Sequence, residues 1–193
     1  MTTDQRLRAA AAALLDAGGE STVTLRAVAA ATGLSHNAPY KHFASRGALL
    51  AAVAAEDFRT LGRLIAEARR SGGDPVERLR GALEGVLRFS ERHPGRYQLL
   101  LRSPLVAAHE GSLEAAARGA FRAFAAIVED GQAAGVLPAA PSGALAGLVF
   151  ATLNGLIDAE GSGRLEAEKG LDDVRASLDL LLRLLSPRPQ AGE

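Results

Sequence analysis

Nowhere in this chain do apolar and polar residues alternate for long enough to make a strand. Instead the apolar residues recur at three- and four-residue spacing between breaks made of glycine and proline. A helix turns every 3.6 residues and a strand alternates every two, so this spacing commits the chain to an all-α fold. Leu7, Ala11, Leu14 and Leu15 share one face of a helix over Asp4 to Ala17, stopped by Gly18-Gly19. Thr24 caps a short helix from Leu25 to Thr32. Ser45 opens a long one to about Arg70, whose stripe includes Leu49, Leu50, Val53, Phe58, Leu61 and Ile65. Asp74-Pro75, an N-cap followed by a first-turn proline, starts a helix that runs to Arg92. Beyond the His93-Pro94-Gly95 break lie Arg96 to Arg102, a segment opened by Ser103-Pro104 and interrupted near Gly111, a helix capped by Ser142 to about Glu160, and a last helix from Leu171 to Leu185. With the short helix described next, the expectation is about nine helices.

Gly33-Leu34-Ser35 is a tight turn followed by a cap. The residues after it place His36, Asn37, Tyr40, Lys41 and His42 on a short helix that ends at the apolar Phe43. Helix, glycine-containing turn, helix is the spacing of a helix-turn-helix. The second helix carries side chains that donate to phosphates and base edges. Residues 1–50 bear Arg6, Arg8, Arg26, Lys41 and Arg46 against Asp4, Asp16 and Glu20, in a chain whose charges balance overall. A modestly basic end on a more acidic body suits a protein that touches a polyanion at one end only.

Thr24-Leu25-Arg26-Ala27-Val28-Ala29, Gly33-Leu34-Ser35, Tyr40-Lys41-His42-Phe43, Ser45-Arg46 and Leu49 together resemble the TetR family of transcriptional regulators. The resemblance implies a three-helix DNA-binding domain over residues 1–46 and a helical effector-binding and dimerisation domain over residues 47–186. Residues 187–193 are expected to be a disordered tail. It further implies that Thr24, Tyr40, His42 and Arg46 contact phosphates and that His36, Asn37 and Lys41 face base edges, with Arg26 and Ser35 in the same DNA-facing set. The chemistry agrees, because Asn can pair with adenine and Lys can donate to guanine. Two positions depart from the family pattern. Pro39 replaces an aliphatic residue and, counted from Ser35 as cap, occupies the fourth helical position; Gly47 replaces an acidic residue. His93-Pro94-Gly95-Arg96-Tyr97 resembles the subgroup whose regulatory domain is named for a Trp-His-Gly motif, of which the stretch Phe150 to Gly155 retains Gly155.

The implied function is sequence-specific regulation of transcription, as a repressor released from an operator on double-stranded DNA by a small hydrophobic effector. The alternative is a helical adaptor that is not an enzyme and lacks effector control. Polar residues that interrupt apolar faces are the effector candidates: His93, Tyr97, Arg102, His109, Arg122, Asn154 and Asp158. The low aromatic content and the abundance of alanine and leucine point to an apolar cavity. Gly143, Gly147, Ala151 and Gly155 recur every four residues, beside Leu145, Leu148, Val149, Thr152 and Leu156, and form a smooth face. With the leucine face of the last helix, two copies would build a four-helix bundle, so a homodimer through the last two helices is expected.

Other classes are disfavoured. The chain has no cysteine, which excludes disulfides and thiolate metal sites, and its four histidines are scattered. No paired-carboxylate motif, nucleophile elbow or glycine-rich phosphate loop is present, so neither an enzyme nor a cofactor is expected. No apolar run approaches the roughly 20 residues that span a bilayer, and the alanine run Ala9–Ala13 fits a helix rather than a signal peptide. A cytoplasmic location follows as the expectation.

Overall fold

The computed structural model describes residues 1–104, 111–166, 170 and 173–186, and these form nine α-helices, one 3-10 turn and no strand. The helices are α1 (Thr3–Gly18), α2 (Leu25–Thr32), α3 (Ala38–His42), α4 (Arg46–Arg70), α5 (Pro75–Arg92), α6 (Pro94–Arg102), α7 (Ser112–Ala133), α8 (Ser142–Gly161) and α9 (Val174–Leu185). The expected all-α architecture is therefore present among the described residues. The expected caps act at α2, α4 and α5. Thr24 Oγ1 accepts from the Ala27 amide at 3.0 Å, Ser45 Oγ from Ala48 at 3.0 Å, and Asp74 Oδ1 from Val76 and Glu77. Each satisfies amides that have no partner within the first helical turn. Gly111, near which an interruption was expected, has φ of +80° directly before α7 begins at Ser112.

The chain divides into two compact units, residues 1–61 with 89–120 and residues 62–88 with 121–193. The first unit runs past the 46/47 boundary expected from the sequence, along the uninterrupted helix α4. In that unit Leu7, Ala11, Leu15, Val23, Val28, Ala29, Leu49 and Leu50 are all fully buried. Each leucine so placed contributes about 1.5–3 kcal/mol relative to an exposed one. In the second unit Leu79, Leu83, Ile127, Val128, Leu153 and Leu182 fill the core, and Phe124 meets Phe150 with ring centroids 5.8 Å apart. Arg69 on α4 grips Asp130 on α7 through two bonds of 2.7 and 2.8 Å.

Three expectations are corrected. Ser142 does not cap α8: its hydroxyl donates to Gln132 Oε1 at 2.6 Å, while Gln132 Nε2 donates to the carbonyls of Pro138 and Ala140. The glutamine thus fastens the proline-rich loop, and Pro141 precedes the helix. The last helix starts at Val174, because Asp173 caps it by accepting from the amides of Arg175 and Ala176; the earlier start at Leu171 and its neighbour lies outside the described residues, as does the tail. Finally, α8 is 20 residues long and apolar enough, by length and composition alone, to cross a membrane.

Candidate nucleic-acid interface

Helix α2 ends on Gly33 in the left-handed region, at φ +65°. The amide of Leu34 reaches back to the carbonyl of Ala29, and that of Gly33 to Ala30, both at 3.2 Å. Glycine reaches this conformation without the side-chain clash that other residues meet, so it turns the chain sharply between the two helices. The Ser35 carbonyl then accepts from the Ala38 amide at 2.9 Å, closing a turn through His36 and Asn37.

This corrects the expectation that His36 and Asn37 lie on the second helix. Helix α3 begins at Ala38, and Pro39 is its second residue rather than its fourth. A fourth-position proline would leave the Ser35 carbonyl without a helical donor and press its ring against it; in the first turn the missing N–H costs nothing. The proline ring is buried, as is Phe43, whose amide donates to the Pro39 carbonyl at 2.8 Å. These two residues hold the short helix down and leave its other face outward. The buried proline went unrecognised in the sequence, although an apolar residue between two polar pairs, at the spacing of one helical turn from Phe43, was the available signal.

Thr24, Arg26, Ser35, His36, Asn37, Tyr40, Lys41 and His42 are all exposed. Tyr40 keeps 61 % of its surface open, which excludes a role for its ring in the small core. The side chains of Arg26, His36, Asn37, Tyr40, Lys41 and His42 make no hydrogen bond or ion pair with another described residue. Arg46 differs, because its guanidinium turns inward. Its Nε donates to the Val23 carbonyl at 2.6 Å, and Nη2 meets the carbonyl and carboxylate of Glu20. It thereby holds the 3-10 turn Glu20–Thr22 and the entry of α2 against the start of α4. No carboxylate side chain occurs between Glu20 and Glu56, so nothing acidic within that stretch opposes a polyanion.

The effector candidates are dispersed. Tyr97 on α6 is buried, and burial raises its hydroxyl well above the ordinary tyrosine range. Arg102, at the end of α6, lines a cavity of about 300 Å³ with Gly19, Glu20, Gln98, Leu99 and Ser103. In the second unit Arg122 is exposed, Asn154 is half-buried, and Asp158 accepts from Arg164 at 2.6 Å. His93 caps no helix through its side chain and is bound to Asp16. His109 lies outside the described residues.

Helix α8 has two unlike sides. Leu145, Val149, Leu153 and Leu156 are buried, whereas Gly143, Ala144, Leu148, Ala151, Thr152 and Gly155 are exposed on the opposite face. A methyl group added at Gly143, Gly147 or Gly155 would meet nothing within 4 Å. The leucine face of the last helix, expected to face outward, is corrected in part: Val174, Leu178 and Leu182 are buried within the unit, and Leu180 and Leu184 are the open ones.

The first part of the chain, residues 7–53, matches the model of bacterial regulatory proteins of the tetR family. Residues 79–185 match the tetracyclin repressor-like C-terminal domain. Among curated protein sequences none matches. Solved structures do. A protein with unknown function from Rhodococcus sp. RHA1 is 25 % identical with a TM-score of 0.81, covering 97 % of both chains. The TetR family transcriptional regulator PfmR from Thermus thermophilus is 26 % identical with a TM-score of 0.68, over 92 % of this chain and 97 % of its own. FadR from Bacillus subtilis, solved in complex with stearoyl-CoA, shares 15 % identity and a TM-score of 0.73 over 94 % and 97 % of the two chains, a likeness of fold.

Proposed function

This chain belongs to the TetR family of DNA-binding transcriptional regulators, and on that premise we propose that it is a cytoplasmic repressor released from its operator by a small apolar effector. One observation carries the DNA-binding part. Six side chains able to meet phosphates or base edges, Arg26, His36, Asn37, Tyr40, Lys41 and His42, stand exposed and unengaged around a turn and helix that Pro39 and Phe43 anchor from below. We assign Tyr40 and His42, with Thr24, Arg26 and Ser35, to backbone contacts that set the register. His36, Asn37 and Lys41 are assigned to base edges, with His36 and Asn37 reaching from the turn that leads into α3. Arg46 supports the interface by holding its frame, and it reaches a phosphate only by releasing the Glu20 and Val23 carbonyls.

The protein acts as a dimer. Each helix-turn-helix reads one half-site and a dimer reads two about one turn apart, and the open face of α8, with Leu180 and Leu184 of α9, supports a two-fold four-helix contact. Glycine and alanine on that face allow close approach of the helix backbones. The effector reading rests on the apolar composition of the body and on the family premise; Arg102, beside its cavity, is the polar contact retained for it. FadR, of the same fold, holds stearoyl-CoA, a molecule with a long apolar tail. An effector shifts such a protein only by binding one arrangement more tightly than the other.

The test is fluorescence anisotropy on a duplex selected from a random pool, against a scrambled duplex, at several salt concentrations. Preference for the selected duplex is expected, with affinity falling as salt rises. Lys41→Ala should reduce the salt slope by about one and relax the base preference. Equal binding of both duplexes by the wild-type chain would refute the reading.

A further inference from the structure

The sequence His93-Pro94-Gly95-Arg96, set apart above only by its resemblance, has a use in the first unit that DNA contact does not explain. Gly95 lies against the end of α1 so closely that a Cβ there would stand 1.9 Å from the Leu15 carbonyl oxygen. The next residue of α1, Asp16, accepts the Arg96 amide at 3.2 Å through Oδ1 and meets His93 Nδ1 at 2.9 Å through Oδ2. The Arg96 side chain crosses the Phe89 ring at 5.4 Å and forks onto Asp57 of α4, with Nε on Oδ2 at 3.0 Å and Nη2 on Oδ1. Asp57 is fully buried, and burial raises its carboxyl above the usual range even beside the guanidinium.

One turn of α6 thus grips the two helices on which the DNA-facing pair is mounted. Helix α1 packs on α2, and the first turn of α4 is tied through Arg46 to the entry of α2. Stability alone does not account for such a pair, because a buried ion pair can be exchanged for apolar side chains of similar volume with little or no loss. What apolar side chains would not supply is direction: a guanidinium fork on a carboxylate fixes both distance and angle.

We propose that Arg96 and Asp57 are positioning residues for DNA binding, holding α1 and α4 at the spacing that presents α2 and α3. The inference rests on the DNA-binding reading above. Lysine at 96 keeps the charge and loses the fork, and asparagine at 57 keeps the shape and loses the charge. Folded Arg96→Lys and Asp57→Asn proteins should each bind the selected operator at least about fivefold more weakly than wild type, the scale of a coupling between sites. The slope of log affinity against log salt should be unchanged, since no phosphate contact is lost. Folding is followed separately by circular dichroism.

Operator affinity within twofold of wild type for both folded variants would overturn the proposal, and so would a slope reduced by about one, which would make Arg96 a phosphate contact. If either single variant fails to fold, the double variant Arg96→Met with Asp57→Leu removes both charges together. Positioning predicts that it folds and still binds weakly; recovery of wild-type affinity would reduce the pair to a structural role. Wild-type protein that binds no selected duplex would remove the DNA reading, and this inference with it.

Discussion

Replacing Gly95 with alanine tests the packing of α6 on α1. The added Cβ would lie 1.9 Å from the Leu15 carbonyl oxygen, 2.6 Å from its carbon and 3.2 Å from the Asp16 nitrogen. An ordinary contact begins at 3.4 Å, so the helix must retreat by about 1.5 Å. The obstructing atoms are backbone and cannot rotate aside. A retreat of that size carries the Arg96 amide, now 3.2 Å from Asp16, out of hydrogen-bonding range. Overpacking costs about 1–3 kcal/mol, and a lost bond to a charged acceptor about 1.5–3. Gly95→Ala should therefore destabilise the protein by about 2.5–6 kcal/mol, or roughly 5–24 °C in Tm for a chain of this size. Thermal unfolding followed by circular dichroism measures the shift, and Gly119→Ala is the control. Gly119 is exposed in mid-helix on α7 with nothing within 4 Å, so alanine there should stabilise by up to about 1 kcal/mol. A Gly95→Ala protein that melts within a degree of wild type would refute the packing argument.

Two other outcomes follow from the second unit. Leu148 is 68 % exposed on the smooth face of α8, so Leu148→Glu should leave folding intact and convert dimer to monomer in sedimentation at micromolar concentration; a variant that stays dimeric would place the interface elsewhere. The Arg69 guanidinium beside Asp130 holds that carboxyl below the usual carboxylate range by its hydrogen bonds and charge. A depressed folded value means that the pair stabilises above the unfolded pKa, about 3.9, and that this is lost as the pH falls through the folded value. The Tm gap between wild type and Asp130→Asn should accordingly be small and positive at pH 7 and close as the pH falls below about 4; a gap independent of pH would exclude the pair as its source.

Local chemistry made much of this protein legible before any tertiary information. The spacing of Leu25, Val28 and Ala29 and the cap Thr24 marked α2 from end to end, and Gly33 marked its turn, because helix periodicity, capping bonds and left-handed glycine act within a few residues of chain. The exposed set from Thr24 to His42 was likewise readable, since its residue types and offsets carry the family pattern. Pro39 shows where such reading stops. Its own ring and missing N–H forbid the fourth helical position, but its burial beside Phe43 depends on the packing of α3 against α2. Arg46 has the charge and placement of a phosphate contact in sequence; only the fold brings the Glu20 and Val23 carbonyls to its guanidinium.

The open face of α8 and the joint at α6 divide in the same way. Four-residue spacing of Gly143, Gly147, Ala151 and Gly155 announced a smooth stripe, yet which leucines beside it turn inward was decided by what α8 packs against. In the last helix the packing buried Val174, Leu178 and Leu182 and left Leu180 and Leu184 outside. Asp16, Asp57 and Arg96 stand far apart in the chain, and nothing local distinguishes them from other charged helical residues. Periodicity and caps are properties of neighbouring residues and so are written in the sequence; a buried ion pair exists only where distant helices cross, and the tertiary structure alone creates that crossing.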